Sequence, residues 1–461
     1  MTEYFFLTPT SKNTKHISVS ILILFILTSS FSSCETSSRK ERDTRPDTVV
    51  SFGIKEKEVV RNTIVNFYIE NSGSMDGYVR GVKDFKTVVA NLLVKSKDFS
   101  RNDRDQRFNI HLINNQIFPL PQIDDLTSFA QSLDPTPGST FKQTGNTSVS
   151  EINRMIDLVL SQTSKDTLSV FISDCIYSID AKKNTQGSLA FQQAGTLDAF
   201  LKKLRNSKEN NFTTAVYKFM SGFEGSYYSY DNSSTYINSQ RPYYIWLLGE
   251  RGIIESFLEV VKVENQVGFQ NSYFLSDFEQ EQPYFTVLQE TNKIGKFRKT
   301  DKKSKVIKSI KLDGLDNGVL QFAIAVDLKN IEEFVDESYL TNPNNYSVPD
   351  GFKVQSIDQV NINKMHKNDF KRVTPPETET ATHFVTVSYD PKYALQDLKL
   401  ELTNKLPAWI QETNTMDDRD ITLHLNKTFG FEYLIKGVAD AYQTQKSNQK
   451  SYFTIKVEIK N

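Results

Sequence analysis

Cysteine is nearly missing: Cys34 and Cys175 are the two in 461 residues, too few for a disulfide framework to hold a chain of this size. An excess of charge is lacking too. With 55 Lys and Arg against 56 Asp and Glu, no overall field draws the chain onto nucleic acid or anionic lipid. Histidine is sparse at five residues, and His366, His383 and His424 stand singly, without metal-ligand spacing. Gly at 19 and Pro at 14 are too few for a low-complexity chain. No Gly-rich phosphate loop, nucleophile elbow or paired-carboxylate glycosidase pattern can be read. Nor does any apolar run reach the about 20 residues that a membrane-spanning helix needs.

What is present describes a packed, β-rich globular protein: 12% of residues are aromatic, with 32 Phe and 20 Tyr. At about 150 residues per domain, the length allows roughly two or three units.

The amino terminus reads as an address. Polar residues carrying Lys12, Lys15 and His16 precede the apolar stretch Ile17–Leu27, the order of a secretory signal. The stretch ends in Thr28–Cys34 (TSSFSSC), and small residues directly before a cysteine resemble the lipobox of bacterial lipoproteins. The resemblance implies a signal peptide over 1–33, acylation of Cys34 as the mature first residue, and a tether over 34–60. Two or more acyl chains, at about 0.8 kcal/mol per buried methylene, hold a protein stably on a membrane. The implied place is the bacterial cell envelope, anchored to the inner or the outer membrane. An ordinary signal followed by an incidental cysteine is the other reading.

From residue 61 short β-rich runs alternate with helical periodicity. Strands are expected at 63–69, 107–113, 168–172, 212–219 and 243–248, and helices at 82–95, 149–160, 197–204 and 253–261. This order predicts an α/β unit over 61–265 with a doubly wound, mostly parallel sheet. Beyond 265 alternating runs at 319–326, 383–388, 398–402, 421–425 and 452–459 predict a β-rich, sandwich-like unit over 266–461. One helix interrupts it at 431–442. The basic stretch Lys293–Lys308 reads as a solvated loop or strand edge, not a nucleic-acid site.

The chemistry concentrates in Asn66–Tyr78 (NFYIENSGSMDGY), an apolar strand running into Glu70-Asn71-Ser72-Gly73-Ser74. This segment resembles the Asp-x-Ser-x-Ser signature of von Willebrand factor type A domains. Two further matches follow in order: Gly145-Asn146-Thr147 before a helix, and Leu168–Asp174 (LSVFISD), a buried strand ending in Ser-Asp. The resemblance implies a metal-ion-dependent adhesion site of Glu70, Ser72, Ser74, Thr147 and Asp174, holding Mg²⁺, Mn²⁺ or Ca²⁺. In an open α/β sheet such residues converge, because loops at the carboxyl ends of the strands meet in one crevice. A hard cation with neutral hydroxyl ligands keeps much of its charge and can capture a partner protein's carboxylate. One departure stands out: the family's first acid is Asp, and Glu70 is longer by one bond of about 1.5 Å. A working cation site and a site where Glu70 merely braces the Ser72–Ser74 turn are both open. Cys175 follows Asp174, with no base near in sequence, and reads as a small buried residue.

These readings predict a lipid-anchored binding module and not an enzyme. A metal-dependent hydrolase and a structural envelope component with a degenerate site are the alternatives.

Overall fold

The structure, a computed structural model, describes residues 63–460 apart from 82, 101–106, 149, 180–183, 208–210, 232, 277–282, 333–334, 336, 374–380 and 446–450. The expected signal peptide, Cys34 and the tether lie outside the described residues. No described helix is long and apolar enough to cross a membrane.

The α/β expectation holds at the level of architecture: a seven-stranded mixed sheet carries the first part of the chain, and mostly antiparallel sheets carry much of the rest. Its strands are β1 (Ile64–Glu70), β2 (Phe108–Ile113), β3 (Ile117–Pro119), β4 (Thr167–Ser173), β5 (Phe212–Tyr228), β6 (Ser234–Glu250) and β7 (Phe269–Ser276), in the order β3-β2-β1-β4-β6-β5-β7. At the centre β1 runs parallel to both neighbours, with Phe67 opposite Ile110 of β2 and Val170 of β4. All seven residues of β4 are buried. Burial on both faces is why this strand carries only apolar residues and small hydroxyls, with no charged residue on either face.

From β6 outward every pairing is antiparallel. The parallel setting expected there gives way because β5 and β6 form a single long hairpin, in register from Phe212↔Glu250 to Tyr228↔Ser234. Only Thr213–Phe219 of β5 pairs with β7, and only Tyr244–Leu248 of β6 pairs with β4. The outer half of the hairpin therefore extends past its neighbours and arches over the loop that follows β1, where residues of β5 pack on the helical turn Asp76–Val79.

The helix Asp84–Phe99 packs with Arg251–Val261, and Ile152–Gln162 packs with Thr185–Asn206. The helix Phe431–Gln445, expected within the β-rich stretch, docks on Thr185–Asn206 and buries Phe431, Leu434, Ile435 and Val438 in the core of the seven-stranded sheet. At Gly437 a Cβ would stand 2.7 Å from the Gln193 carbonyl, so the two helices meet backbone to backbone.

The rest of the chain forms two sheets around a second core. One orders Tyr346–Ser347, Leu398–Thr403, Ser451–Lys460, Ser309–Gly314 and Lys296–Lys299, and the other orders Phe352–Gln359, His383–Tyr389, Leu320–Val326 and Phe285–Val287. Side chains of both sheets, among them Phe322, Val387, Leu400 and Phe453, share that core, in keeping with the β-rich character expected of this part of the chain. The strand expected at 421–425 is instead a 3₁₀ turn, Ile421–Leu423. Asp420 takes the Thr422 hydroxyl at 2.5 Å, and this local bond favours a turn over a ladder.

Candidate functional site

The site begins where β1 ends. The Asn71 N–H still bonds the Ile113 carbonyl of β2 at 3.0 Å, but its side chain leaves the ladder. It donates to the Phe141 and Thr144 carbonyls at 2.9 and 2.8 Å and accepts from Asn114 Nδ2 at 3.0 Å. Asn71 thus pins the 141–147 loop over the carboxyl end of the sheet. Gly145 in that loop has φ +75° and would place a Cβ 2.4 Å from the Phe118 ring, so both backbone and space require glycine. After Asn71 the chain makes a 3₁₀ turn, Gly73–Met75, then the helical turn Asp76–Val79. Tyr78 fixes that turn beneath the hairpin by donating to the Pro242 carbonyl at 2.5 Å.

Four of the five sequence-predicted residues meet through side chains. Ser72 Oγ donates to Glu70 Oε1 at 2.5 Å and lies 2.9 Å from Ser74 Oγ. Asp174 follows the last residue of β4, its carboxylate stabilised by the Ser74 hydroxyl and the Ile176 N–H. The fifth, Thr147, enters through its backbone: its carbonyl accepts the Gly73 N–H at 2.8 Å. The helix expected from Val149 starts at Ile152, and in the loop this frees, the Ser150 hydroxyl reaches Glu70 Oε1 at 2.9 Å. Ser150 was missed by sequence reasoning. The run of hydroxyls at Thr147, Ser148 and Ser150 was its only signal.

Glu70 and Asp174 are buried, 0% and 1% exposed. Glu70 Oε2 and Asp174 Oδ2 each find no hydrogen-bond partner among the described residues. Burial, and then the negative charge of Asp174, push the Glu70 carboxyl up to about 7, against the partial relief of the Ser173, Ser72 and Ser150 hydroxyls. Burial also raises Asp174. Two adjacent carboxyls in a low-dielectric interior resist full ionisation unless a proton or a cation stands between them.

Arg241, 1% exposed, is the counter-charge that sequence reasoning did not find. It stabilises the ionised forms of Asp174 and Asp418, and its Nη1 donates to the Leu425 carbonyl at 3.1 Å. The guanidinium lies 4.6 Å from the Tyr227 ring centre. A single arginine in strand β6 gave no sequence cue to these partners, of which Asp418 and Leu425 arrive from the far end of the chain.

Above the acids opens a pocket of about 320 Å³, lined among others by Ser72, Ser74, Thr147, Ser150, Tyr177 and Tyr228. Asp76 and Lys142 form an ion pair at its edge, at 2.9 Å. Cys175 sits behind the pocket, fully buried, with φ +56° and its sulfur accepting from Trp246 Nε1 at 3.3 Å. Burial raises this thiol well above its ordinary value, which favours the protonated form. His111 stacks on Tyr68 at 4.8 Å and takes no part in the site.

Two acids and at least three hydroxyls converge, an all-oxygen set of the kind a hard cation takes and a shared proton can also hold together. Among the described residues no group of three or more His, Cys, Asp or Glu is placed to hold a metal ion. Ser72 Oγ and Ser74 Oγ share a hydrogen bond of 2.9 Å, a length that also equals an octahedral edge for metal–oxygen arms of about 2.0–2.1 Å. No protein-family model, no curated protein and no solved structure matches this chain.

Proposed function

We propose that this is a lipid-anchored binding protein of the bacterial cell envelope, whose von Willebrand factor type A-like domain captures a protein partner through a divalent cation held at Glu70, Ser72, Ser74 and Asp174. Thr147 and Ser150 stand at the rim. The observation that carries the reading is the pair of orphaned carboxylate oxygens, Glu70 Oε2 and Asp174 Oδ2, buried beside the hydrogen-bonded Ser72 and Ser74 hydroxyls. When bound, Mg²⁺ or Mn²⁺ supplies a positive centre that accepts a partner's carboxylate. The chain's own residues do the remaining work. Glu70 and Asp174 give the site its negative charge, Ser72 and Ser74 present neutral oxygens toward the pocket, and Arg241 favours the charged form of Asp174. Cys34 and the envelope location rest on the sequence resemblance alone.

A second reading has its own observation. The 2.5 Å bond from Ser72 Oγ to Glu70 Oε1 is what a carboxyl bracing the turn would make, with a proton in place of a cation. Calorimetry separates the two. Wild-type protein titrated with Mg²⁺, Mn²⁺ and Ca²⁺ should release binding heat that Asp174→Ala abolishes; silence from wild type with all three ions at millimolar concentration leaves the bracing role.

A further inference from the structure

The pocket's walls are held by a segment far from them in sequence. Tyr228, Ser229 and Tyr230, at the end of the β5–β6 hairpin, form one wall, and Ile176, Tyr177, Ser178 and Ile179 form the other. Residues 414–430 touch both. Asp418, 0% exposed, accepts the Tyr227 hydroxyl through Oδ2 at 2.6 Å and the Tyr230 N–H through Oδ1 at 3.1 Å. Its two oxygens thus grip the chain on either side of Tyr228 and Ser229. The Tyr230 ring stacks on Phe429 at 5.0 Å with 13° between planes, and the Phe429 carbonyl accepts the Tyr177 N–H at 3.4 Å. The segment is itself tied down, since Asn414 and Thr415 pair in parallel with Thr428 and Phe429.

We propose that Asp418 is the positioning residue of this pocket: by clamping Tyr227 and Tyr230 it sets where Tyr228 and Tyr230 stand, and so which partner group the pocket admits. The inference rests on the reading that this pocket is the binding site. Three features argue that the clamp serves the wall and not the sheet. Its bonds go to the hairpin end, beyond the stretch of β5 and β6 that pairs with β7 and β4. Tyr228, 50% exposed, is an aromatic that the fold leaves uncovered directly above Gly73, where its ring lies 3.8 Å from the position of a Cβ. A buried carboxylate is also an expensive brace, justified where both oxygens are satisfied and the geometry they impose matters.

The test compares full-length Asp418→Ala and Asp418→Asn with a neighbouring control, Asp417→Asn, whose carboxylate is half exposed and paired with Arg419. Amide exchange is followed at residues 228–231 and 176–179 against β1 and β4. The expected result is exchange at least tenfold faster in both walls of Asp418→Ala, a smaller rise in Asp418→Asn, and none in the control, while β1 and β4 keep wild-type protection. Unchanged wall exchange in Asp418→Ala overturns the proposal. So does loosening of β1 and β4 in step with the walls, because that marks a general structural brace. Titration of the same preparations with Mn²⁺ alone keeps the two claims apart: a wild type that binds no Mn²⁺ removes the cation reading, and the exchange result still decides the role of Asp418.

Discussion

Glu70 is the last residue of β1 and Asp174 follows the last residue of the adjacent parallel strand β4, and one carboxylate oxygen of each has no hydrogen-bond partner among the described residues, leaving a gap there. If a divalent cation fills that gap, it stabilises the fold by about 2.7 kcal/mol at a hundredfold excess over Kd. Thermal melts in Mg²⁺ or Mn²⁺ should show this gain for wild type and none for Ser72→Ala combined with Asp174→Ala. Glu70→Asp adds a length control, since it should change the gain only if the carboxylate touches the cation.

Without a cation the same pair makes stability depend on pH. Glu70 is raised from 4.5 to about 7, so between those values the folded chain holds a proton that the unfolded chain has given up. Stability contributed by this group is present at low pH and falls as pH rises through about 7, by roughly 3 kcal/mol at most. In chelator, Glu70→Gln should therefore be more stable than wild type at pH 8 and differ little near pH 5. Denaturant melts at the two pH values measure this, and an equal difference at both would refute the assignment.

His111 works in the opposite sense on the acid side. Burial lowers it from 6.5 to about 4, so the unfolded chain takes up a proton first and stability is lost as pH falls through that window. Its ring is partly exposed, which limits the loss to no more than about 2 kcal/mol. His111→Phe keeps the stack on Tyr68 and should flatten the stability profile between pH 6.5 and 4, read from urea midpoints.

Phe431 stacks on Tyr244 with ring centres 4.1 Å apart, and both are fully buried. Phe431→Ala should cost about 3–5 kcal/mol, the range for truncating a buried aromatic. A loss below about 1 kcal/mol in chemical denaturation would mean that the helix Phe431–Gln445 is peripheral to the core.

A fragment of residues 63–276, which carries all seven strands of the first sheet, bares the surface that this helix and Trp409, Ile410 and Phe429 cover. Expressed alone, it should bind a hydrophobic dye and lose near-ultraviolet dichroism, and adding residues 406–445 in trans should restore both. A cooperative, dye-silent fragment would show that the first core closes without them.

The sequence by itself determined where the strands of the first core run, because β1, β2 and β4 are apolar stretches whose burial depends on composition and not on partners. It also placed Glu70, Ser72, Ser74 and Asp174 at strand ends, and strand ends on one side of a parallel centre must converge. Only the tertiary structure decided the rest. A hydrophobic pattern says that a face is covered, not by what, so β5 and β6 were visible as strands but not as a hairpin, and Phe431–Gln445 as a helix but not as a lid on the first core. The Ser150–Glu70 and Asp418–Tyr227 bonds join residues 80 and 191 apart in sequence. Neither leaves a local trace, because a hydrogen bond between distant residues exists only once packing has brought its donor and acceptor together.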